Sequence, residues 1–175
     1  MGISIRLGTR GDIDALVELY GVVCDDLEAT VNYTGWKKDV YPARQDAEVG
    51  IAEETLFLAE ENGEVVASMI LSRRPEAAYA AANWQAVLDE SQVLVIHTLA
   101  VRPGQRRRGT GRELLDFASR FGTVRGVRSL RLDVYEKNLP AIRLYESAGF
   151  QYIDTVSLGL EDVGLDCFRL YEKLL

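Results

Sequence analysis

The chain has 175 residues, 47% of them hydrophobic and 27% charged, which is the balance of a globular domain and excludes a disordered segment. Its 27 acidic and 20 basic side chains give a formal net charge of −7, whereas nucleic-acid binders usually carry a basic excess. No apolar run approaches the roughly 20 residues of a membrane helix, and the first residues show no secretory signal. Two cysteines make no disulfide framework. We therefore expect a soluble, cytoplasmic protein without membrane or nucleic-acid partners.

The first part of the chain predicts two helices and an antiparallel hairpin. Residues 3–7 read as a short strand, and the residues after them place apolar side chains on one helical face, namely Ile13, Leu16, Val17 and Tyr20. A second helix is predicted over about 43–53. Strands 55–60 and 65–72 flank Asn62-Gly63, a pair that supplies the positive φ angles of a tight turn. Residues 73–92 are ambiguous.

The second part predicts a crossover between parallel strands. Val93–Val101 is almost continuously apolar, which is typical of a strand buried on both faces. A helix over 109–122 and a strand over 128–135 follow, so the two strands should be parallel with a right-handed connection. Asn138-Leu139-Pro140 opens a short helix that Gly149 ends, and two strands are predicted over about 151–160 and 165–173.

This element order predicts an α/β fold of the mixed α+β kind. The central mixed sheet should have about seven strands, flanked by about four helices. No internal repeat or linker divides the chain, so we expect a single domain over residues 1–175.

The strongest local signal is the segment 102–112, which we call the arginine–glycine turn. It lies between a buried strand and a helix, where glycines allow close approach of a ligand to the backbone. The first helical turn offers amides without an internal partner, and the helix dipole adds positive charge, so the turn suits a pyrophosphate. A solvated basic loop is the alternative interpretation. A Walker A loop is excluded because Thr110 stands where lysine is needed, and a dinucleotide loop because Leu114 stands where glycine is needed.

Three motifs resemble the GNAT superfamily of N-acetyltransferases. Arg106-x-x-Gly109-x-Gly111 matches the acyl-coenzyme A (CoA) signature [QR]-x-x-G-x-[GA], and Leu99-Ala100-Val101 precedes it on the strand. Asn138-x-x-Ala141-x-x-Leu144-Tyr145-x-x-x-Gly149-Phe150 resembles the family's second motif. The close resemblance covers about residues 93–152. It implies the GNAT fold and the transfer of an acetyl group from acetyl-CoA to a primary amine by direct attack in a ternary complex.

The resemblance also implies which residues bind the donor. The pantetheine arm would lie along the strand edge at Leu99, Ala100 and Val101, where a splay from the next strand exposes backbone groups. Asn138 would lie near the thioester, and Tyr145 would contact the donor as well. The diphosphate would be held by the rest of the signature, namely Arg106, Arg107, Arg108, Gly109, Thr110, Gly111 and Arg112.

Two residues are candidates for proton transfer. Tyr145 matches the family's common general acid, which would protonate the departing thiolate; ordinary packing is the alternative. His97, the only histidine, matches a strand position that some relatives use to accept the amine proton. A buried structural histidine and a water chain are the alternatives.

The acceptor is the least determined part of the prediction. Trp36, Tyr41 and Trp84 lie in the segments that usually shape the acceptor pocket, although taken singly each is better explained as a packing residue. The open alternatives are a small amine, a peptide or protein amine, and a non-catalytic acyl-CoA-binding module on the same fold. No metal is expected, and the oligomeric state stays open, although relatives are often homodimers.

Overall fold

The computed structural model describes residues 2–175 and contains one seven-stranded mixed sheet with the strand order β1-β2-β3-β4-β5-β7-β6. The strands are Ser4–Leu7 (β1), Leu56–Glu61 (β2), Glu64–Ser72 (β3), Val93–Val101 (β4), Ser129–Tyr135 (β5), Gln151–Val156 (β6) and Phe168–Leu174 (β7). The α-helices are Ile13–Ala29 (α1), Arg44–Ala52 (α2), Thr110–Val124 (α3) and Leu139–Ser147 (α4). The predicted α/β class and element order are thereby confirmed.

The chain forms two compact units. The first contains the N-terminal stretch up to Asn32, Trp36–Leu71 and Thr98–Phe117; the second contains Tyr33–Gly35, Ser72–His97 and Ala118–Leu175. The prediction of a single domain over 1–175 stays a prediction.

The first unit is built on the antiparallel strands β1, β2 and β3. Asn62 and Gly63 have φ angles of +55° and +81°, as the hairpin prediction requires. Its core combines the apolar face of α1 with residues from α2 and the strands, namely Leu16, Leu19, Tyr20, Val23, Leu27, Ala47, Leu56, Leu58, Val65 and Ala100. Burial of that face is what stabilises α1, since isolated helices of this length are marginal in water.

The second unit is built on β5, β6 and β7 together with the first half of β4. Strand β4 pairs in parallel with β5 over three residues, from Val93 opposite Ser129 to Val95 opposite Arg131. Strand β5 pairs along its whole length with β7. The predicted parallel pairing is confirmed, and Val95 is the last β4 residue in that ladder.

The strand predicted over 151–160 is shorter in the structure, because it ends at Val156. A turn follows in which the Gly159 amide donates to the Ser157 hydroxyl at 3.0 Å, with Gly159 at φ +73°. Leu160 and Leu165 then form an isolated bridge, so the last strand begins at Phe168 and not at 165. Among residues 2–175, no helix combines the length and apolarity needed to cross a bilayer.

Candidate functional site

The arginine–glycine turn has a backbone that opens toward solvent at the start of α3. Pro103–Gln105 forms one turn of 3-10 helix, after which Arg107 and Gly109 adopt φ angles of +63° and +94°. The carbonyl of Gly109 accepts from the Glu113 amide at 2.9 Å, so Gly109 precedes the first residue of the helix. The amides of the first helical turn have no acceptor inside the helix and point toward its N-terminal end. A Cβ added to Gly109 would meet no heavy atom within 4 Å. The turn can therefore receive an anion on its backbone.

The arginines around this turn differ in their ion pairing. Arg106 pairs with Asp26, and Arg108 lies 3.6 Å from Glu61. Arg102 contacts Glu18 and Glu64 at 3.2 and 3.4 Å, and Arg112 contacts Asp116 at 3.0 Å. Within residues 2–175 the exposed guanidinium of Arg107 has no carboxylate partner.

The charge of this turn is therefore less than its five arginines suggest. Four of them are already paired with carboxylates of the same unit, so within the described part of the chain the charge of Arg107 is the one left available to a ligand. The sequence alone made no distinction among them.

The end of β4 carries the residues that match the pantetheine-binding strand. Leu99 and Val101 are half-buried and alternate with Ala100, which is buried in the core of the first unit. Thr98 immediately before them has a φ of +49°, which is left-handed, although it lies in the middle of a strand. A left-handed residue turns the following peptide group out of the regular ladder direction.

Tyr145 lies in α4 of the second unit and is almost entirely buried. Its ring packs at 6.0 Å, edge to face, against Phe150. Burial, followed by the negative charge of Asp133, raises the pKa of Tyr145 well above its ordinary value. The phenol is therefore protonated at neutral pH, as a proton donor must be.

Asn138 caps the same helix. Its side-chain oxygen accepts from the Ala141 amide at 3.3 Å, and Pro140 occupies the first turn. This contact gives Asn138 a structural role at the helix start. Its predicted contact with the donor stays a prediction.

A partly buried carboxyl group, Asp133 on β5, was missed by the sequence reasoning. The Tyr79 hydroxyl donates to Asp133 Oδ1 at 2.7 Å. Burial raises the pKa of Asp133, and the neighbouring charges of His97 and Glu76 act on it with opposite signs. A carboxyl group with a raised pKa is a candidate proton acceptor near neutral pH. The only available signal in the sequence was that Asp133 alternates with the apolar residues of strand 128–135.

His97 lies at the last β4 position of the second unit. Its Nε2 is 3.2 Å from the carbonyl oxygen of Arg74. Because a carbonyl oxygen only accepts, Nε2 carries the proton in this arrangement and Nδ1 is the basic nitrogen of the neutral ring.

The three predicted acceptor aromatics have different surroundings. Trp36 and Tyr41 pack edge to face at 6.0 Å in the first unit. The Tyr41 hydroxyl lies 2.6 Å from the Thr98 hydroxyl. Trp84, in the second unit, lies 4.0 Å from the Arg131 guanidinium, and its indole N–H donates to the Tyr79 carbonyl at 2.9 Å. These contacts are those of a packing residue for Trp84, and an acceptor role for any of the three stays a prediction.

One group of potential metal ligands comes together at the ends of β5 and β7. Ligand atoms of Glu136, Asp166 and Cys167 lie within 4.8 Å of one another. Backbone pairing brings them together, since the Glu136 amide donates to the Cys167 carbonyl at 3.0 Å. Exposed groups of this kind are common without an ion, and nothing else points to a metal here.

Several known proteins with similar sequences or structures are described as acetyltransferases. The model of the acetyltransferase (GNAT) family matches residues 22–150. The chain is 28% identical over 159 residues to an uncharacterized N-acetyltransferase of Methanocaldococcus jannaschii. This alignment covers 87% of this chain and 62% of that protein. The chain is 46% identical over 66 residues to the ribosomal protein bS18-alanine N-acetyltransferase of Salmonella typhimurium. That alignment covers 38% of this chain and 43% of the relative.

The matches therefore span less than two thirds of either relative. Among solved structures, a Salmonella typhimurium protein described as an acetyltransferase, with its cofactor acetyl-CoA, superposes with a TM-score of 0.71. That pair is 17% identical, and the match covers 100% of this chain and 95% of the other, which establishes a common fold. Because the family model spans most of the chain and the mixed sheet has the expected elements, this protein belongs to the GNAT acetyltransferase family.

Proposed function

We propose that this protein is an N-acetyltransferase that moves an acetyl group from acetyl-CoA to a primary amine. The observation that carries the proposal is the arginine–glycine turn. Its backbone is open at Gly109, the N-terminus of α3 follows, and among residues 2–175 no carboxylate pairs with the Arg107 guanidinium. These are the features that bind a diphosphate. Family membership and the acetyl-CoA seen in the related Salmonella structure agree with this choice of donor.

The proposed reaction is direct attack of a neutral amine on the thioester in a ternary complex. The C–N bond forms first and gives a tetrahedral intermediate with an oxyanion, and the C–S bond breaks when that intermediate collapses. The Leu99 amide would stabilise the oxyanion, because an N–H aimed at the developing charge favours the tetrahedral state. Tyr145 would give its proton to the departing sulfur, and its raised pKa keeps it protonated until then.

Two residues are proposed as acceptors of the amine proton. His97 offers Nδ1, since its Nε2 faces the Arg74 carbonyl. Asp133 offers a partly buried carboxylate whose pKa is raised. The variants His97→Ala and Asp133→Asn separate them in the pH–rate profile, because the residue that serves as base determines the acidic limb. If both variants keep that limb, a water chain takes the proton.

Donor binding is the first test. Calorimetry of the purified protein with CoA and with acetyl-CoA should detect saturable association, and its complete absence would refute the proposal. Thiol release from acetyl-CoA should then be screened over amines, polyamines, amino acids and peptides with a free N-terminus.

Tyr145→Phe tests the catalytic step, since it removes only the hydroxyl. Loss of a general acid should lower turnover by about 10²–10⁴-fold, while the dissociation constant for CoA stays nearly unchanged. Wild-type turnover in this variant would remove Tyr145 from the mechanism.

A peptide or protein amine is the second candidate acceptor. The local identity to the bS18-alanine N-acetyltransferase favours it, because that protein is named for a protein acceptor. Peptides in the screen test it directly. If the donor binds and no acceptor in the screen reacts, the third candidate, a non-catalytic acyl-CoA-binding module, gains support.

A further inference from the structure

The backbone of β4 is distorted at one residue, Thr98. Its φ of +49° is left-handed, and threonine is β-branched, so this conformation is a genuine outlier. Thr98 is buried, with 8% of its surface exposed, and the next residue is Leu99. An outlier of this kind persists only where the surroundings hold it, and such outliers cluster at active sites.

One side chain outside the strand hydrogen-bonds to Thr98. The Tyr41 hydroxyl lies 2.6 Å from the Thr98 hydroxyl, across 57 positions of sequence. Tyr41 belongs to the segment between α1 and α2, and its own backbone is fixed there. It forms an isolated bridge with Lys37. The Tyr41 amide donates to the Lys37 carbonyl at 3.0 Å, and the Lys37 amide donates to the Tyr41 carbonyl at 3.1 Å. The Tyr41 ring also packs on Trp36. Tyr41 therefore reaches Thr98 from a backbone that is already ordered.

The conformation of Thr98 matters because of the peptide group that follows it. Rotation about the bonds of Thr98 sets the direction of the Leu99 N–H. In a regular strand this N–H would join the ladder, whereas the left-handed turn at Thr98 changes its direction. A residue that stabilises this turn acts on the Leu99 amide without touching the substrate.

We propose that Tyr41 is a positioning residue, whose hydrogen bond to Thr98 holds β4 in its left-handed turn and so aims the Leu99 amide at the thioester oxygen. That the Leu99 amide points at a thioester rests on the proposed function. The control of the Thr98 backbone by Tyr41 does not depend on that function. Tyr41 thus has a role distinct from the wall of an acceptor pocket.

Tyr41→Phe tests the proposal, because it keeps the ring and removes the hydroxyl. Turnover in the thiol-release assay should fall by about 10–100-fold, since a displaced oxyanion donor loses part of its effect. The dissociation constant for CoA should stay within about twofold, because the arginine–glycine turn is unchanged. The three-bond coupling between HN and Hα of Thr98, measured by NMR, should move toward the value of an extended residue.

Three further variants isolate the hydrogen bond. Thr98→Val should act like Tyr41→Phe, and combining the two should add little, whereas Thr98→Ser keeps the hydroxyl and should retain most of the turnover. The matched control is Tyr152→Phe. It removes another tyrosine–threonine hydrogen bond, of 2.9 Å to Thr155 on an exposed strand, and should change neither turnover nor the Thr98 coupling.

The outcomes separate this proposal from the proposed function. If Tyr41→Phe keeps both wild-type turnover and the wild-type Thr98 coupling, Tyr41 does not position the strand and the proposal is overturned. Thr98→Ser behaving like Thr98→Val would overturn it as well. If the wild-type protein binds no CoA, the proposed function fails, and the Thr98 coupling in Tyr41→Phe still decides whether Tyr41 holds the strand.

Discussion

The backbone conformation of Gly109 makes a quantitative prediction about donor binding. Gly109 has a φ of +94°, and a Cβ placed on it would meet nothing within 4 Å. Gly109→Ala should therefore cause no collision, and its cost comes from the backbone alone. Holding an L-residue in a left-handed conformation costs about 1–2 kcal/mol. If the turn keeps its shape only when CoA is bound, the dissociation constant rises by about 5–30-fold.

Gly104→Ala is the matched control for this experiment. Gly104 lies in the same turn and is equally open around its Cβ position, but its φ is outside the left-handed region. Alanine fits such a position without strain and restricts the unfolded chain, so stability should be unchanged or rise by up to about 1 kcal/mol.

Calorimetric titration with CoA and thermal unfolding without ligand together measure where the strain appears. If the turn of Gly109→Ala keeps its shape in the free protein, the strain lowers the thermal stability of the variant. If the turn relaxes in the free protein, the strain appears instead as weaker CoA binding. If Gly109→Ala matched Gly104→Ala in both measurements, the backbone of the turn would not carry the binding site and our reasoning would be refuted.

Two other predictions follow from the charges. Arg107→Ala should weaken CoA binding by about 1 kcal/mol, roughly fivefold, and reduce the salt dependence of binding, whereas Arg106→Ala should change the affinity and its salt dependence less because Arg106 already pairs with Asp26. Calorimetry at several salt concentrations measures both quantities, and equal effects of the two variants would contradict the prediction. The raised pKa of Asp133 means that the folded protein holds this proton more tightly than the unfolded chain, so wild-type stability falls as pH rises above the unfolded value of about 3.9. Asp133→Asn keeps an acceptor for Tyr79 but does not titrate, so its melting temperature relative to wild type should rise from pH 4 to pH 8; a constant difference would contradict the raised pKa.

Local patterns predicted most of the secondary structure. Asn62-Gly63 produced the expected hairpin, because only residues that tolerate positive φ permit so tight a turn. Val93–Val101 has the predicted bounds, since a continuous apolar run with turn residues after it has few other stable conformations. The strand predicted over 151–160 was too long, because the apolar residues Leu158 and Leu160 continue the pattern while Gly159 turns the chain.

The candidate site was predictable to the extent that its residues are local in sequence. The arginine–glycine turn and Tyr145 were found because their motifs are contiguous and their chemistry is carried by the residue types. Asp133 was missed because a single acidic residue on a strand has the pattern of a solvated position. Burial raises the pKa of Asp133, and that burial exists only in the folded chain, where the hydroxyl of Tyr79, 54 positions earlier, donates to it.

The amino-acid sequence by itself determined the element order, the turn with its glycines and the family to which the chain belongs. These depend on short-range backbone preferences and on contiguous motifs. Only the tertiary structure decided which arginines pair with carboxylates, since Asp26 and Glu61 reach Arg106 and Arg108 from distant segments. It alone also brought Tyr41 to Thr98, because a hydrogen bond across 57 positions exists only once the chain has folded.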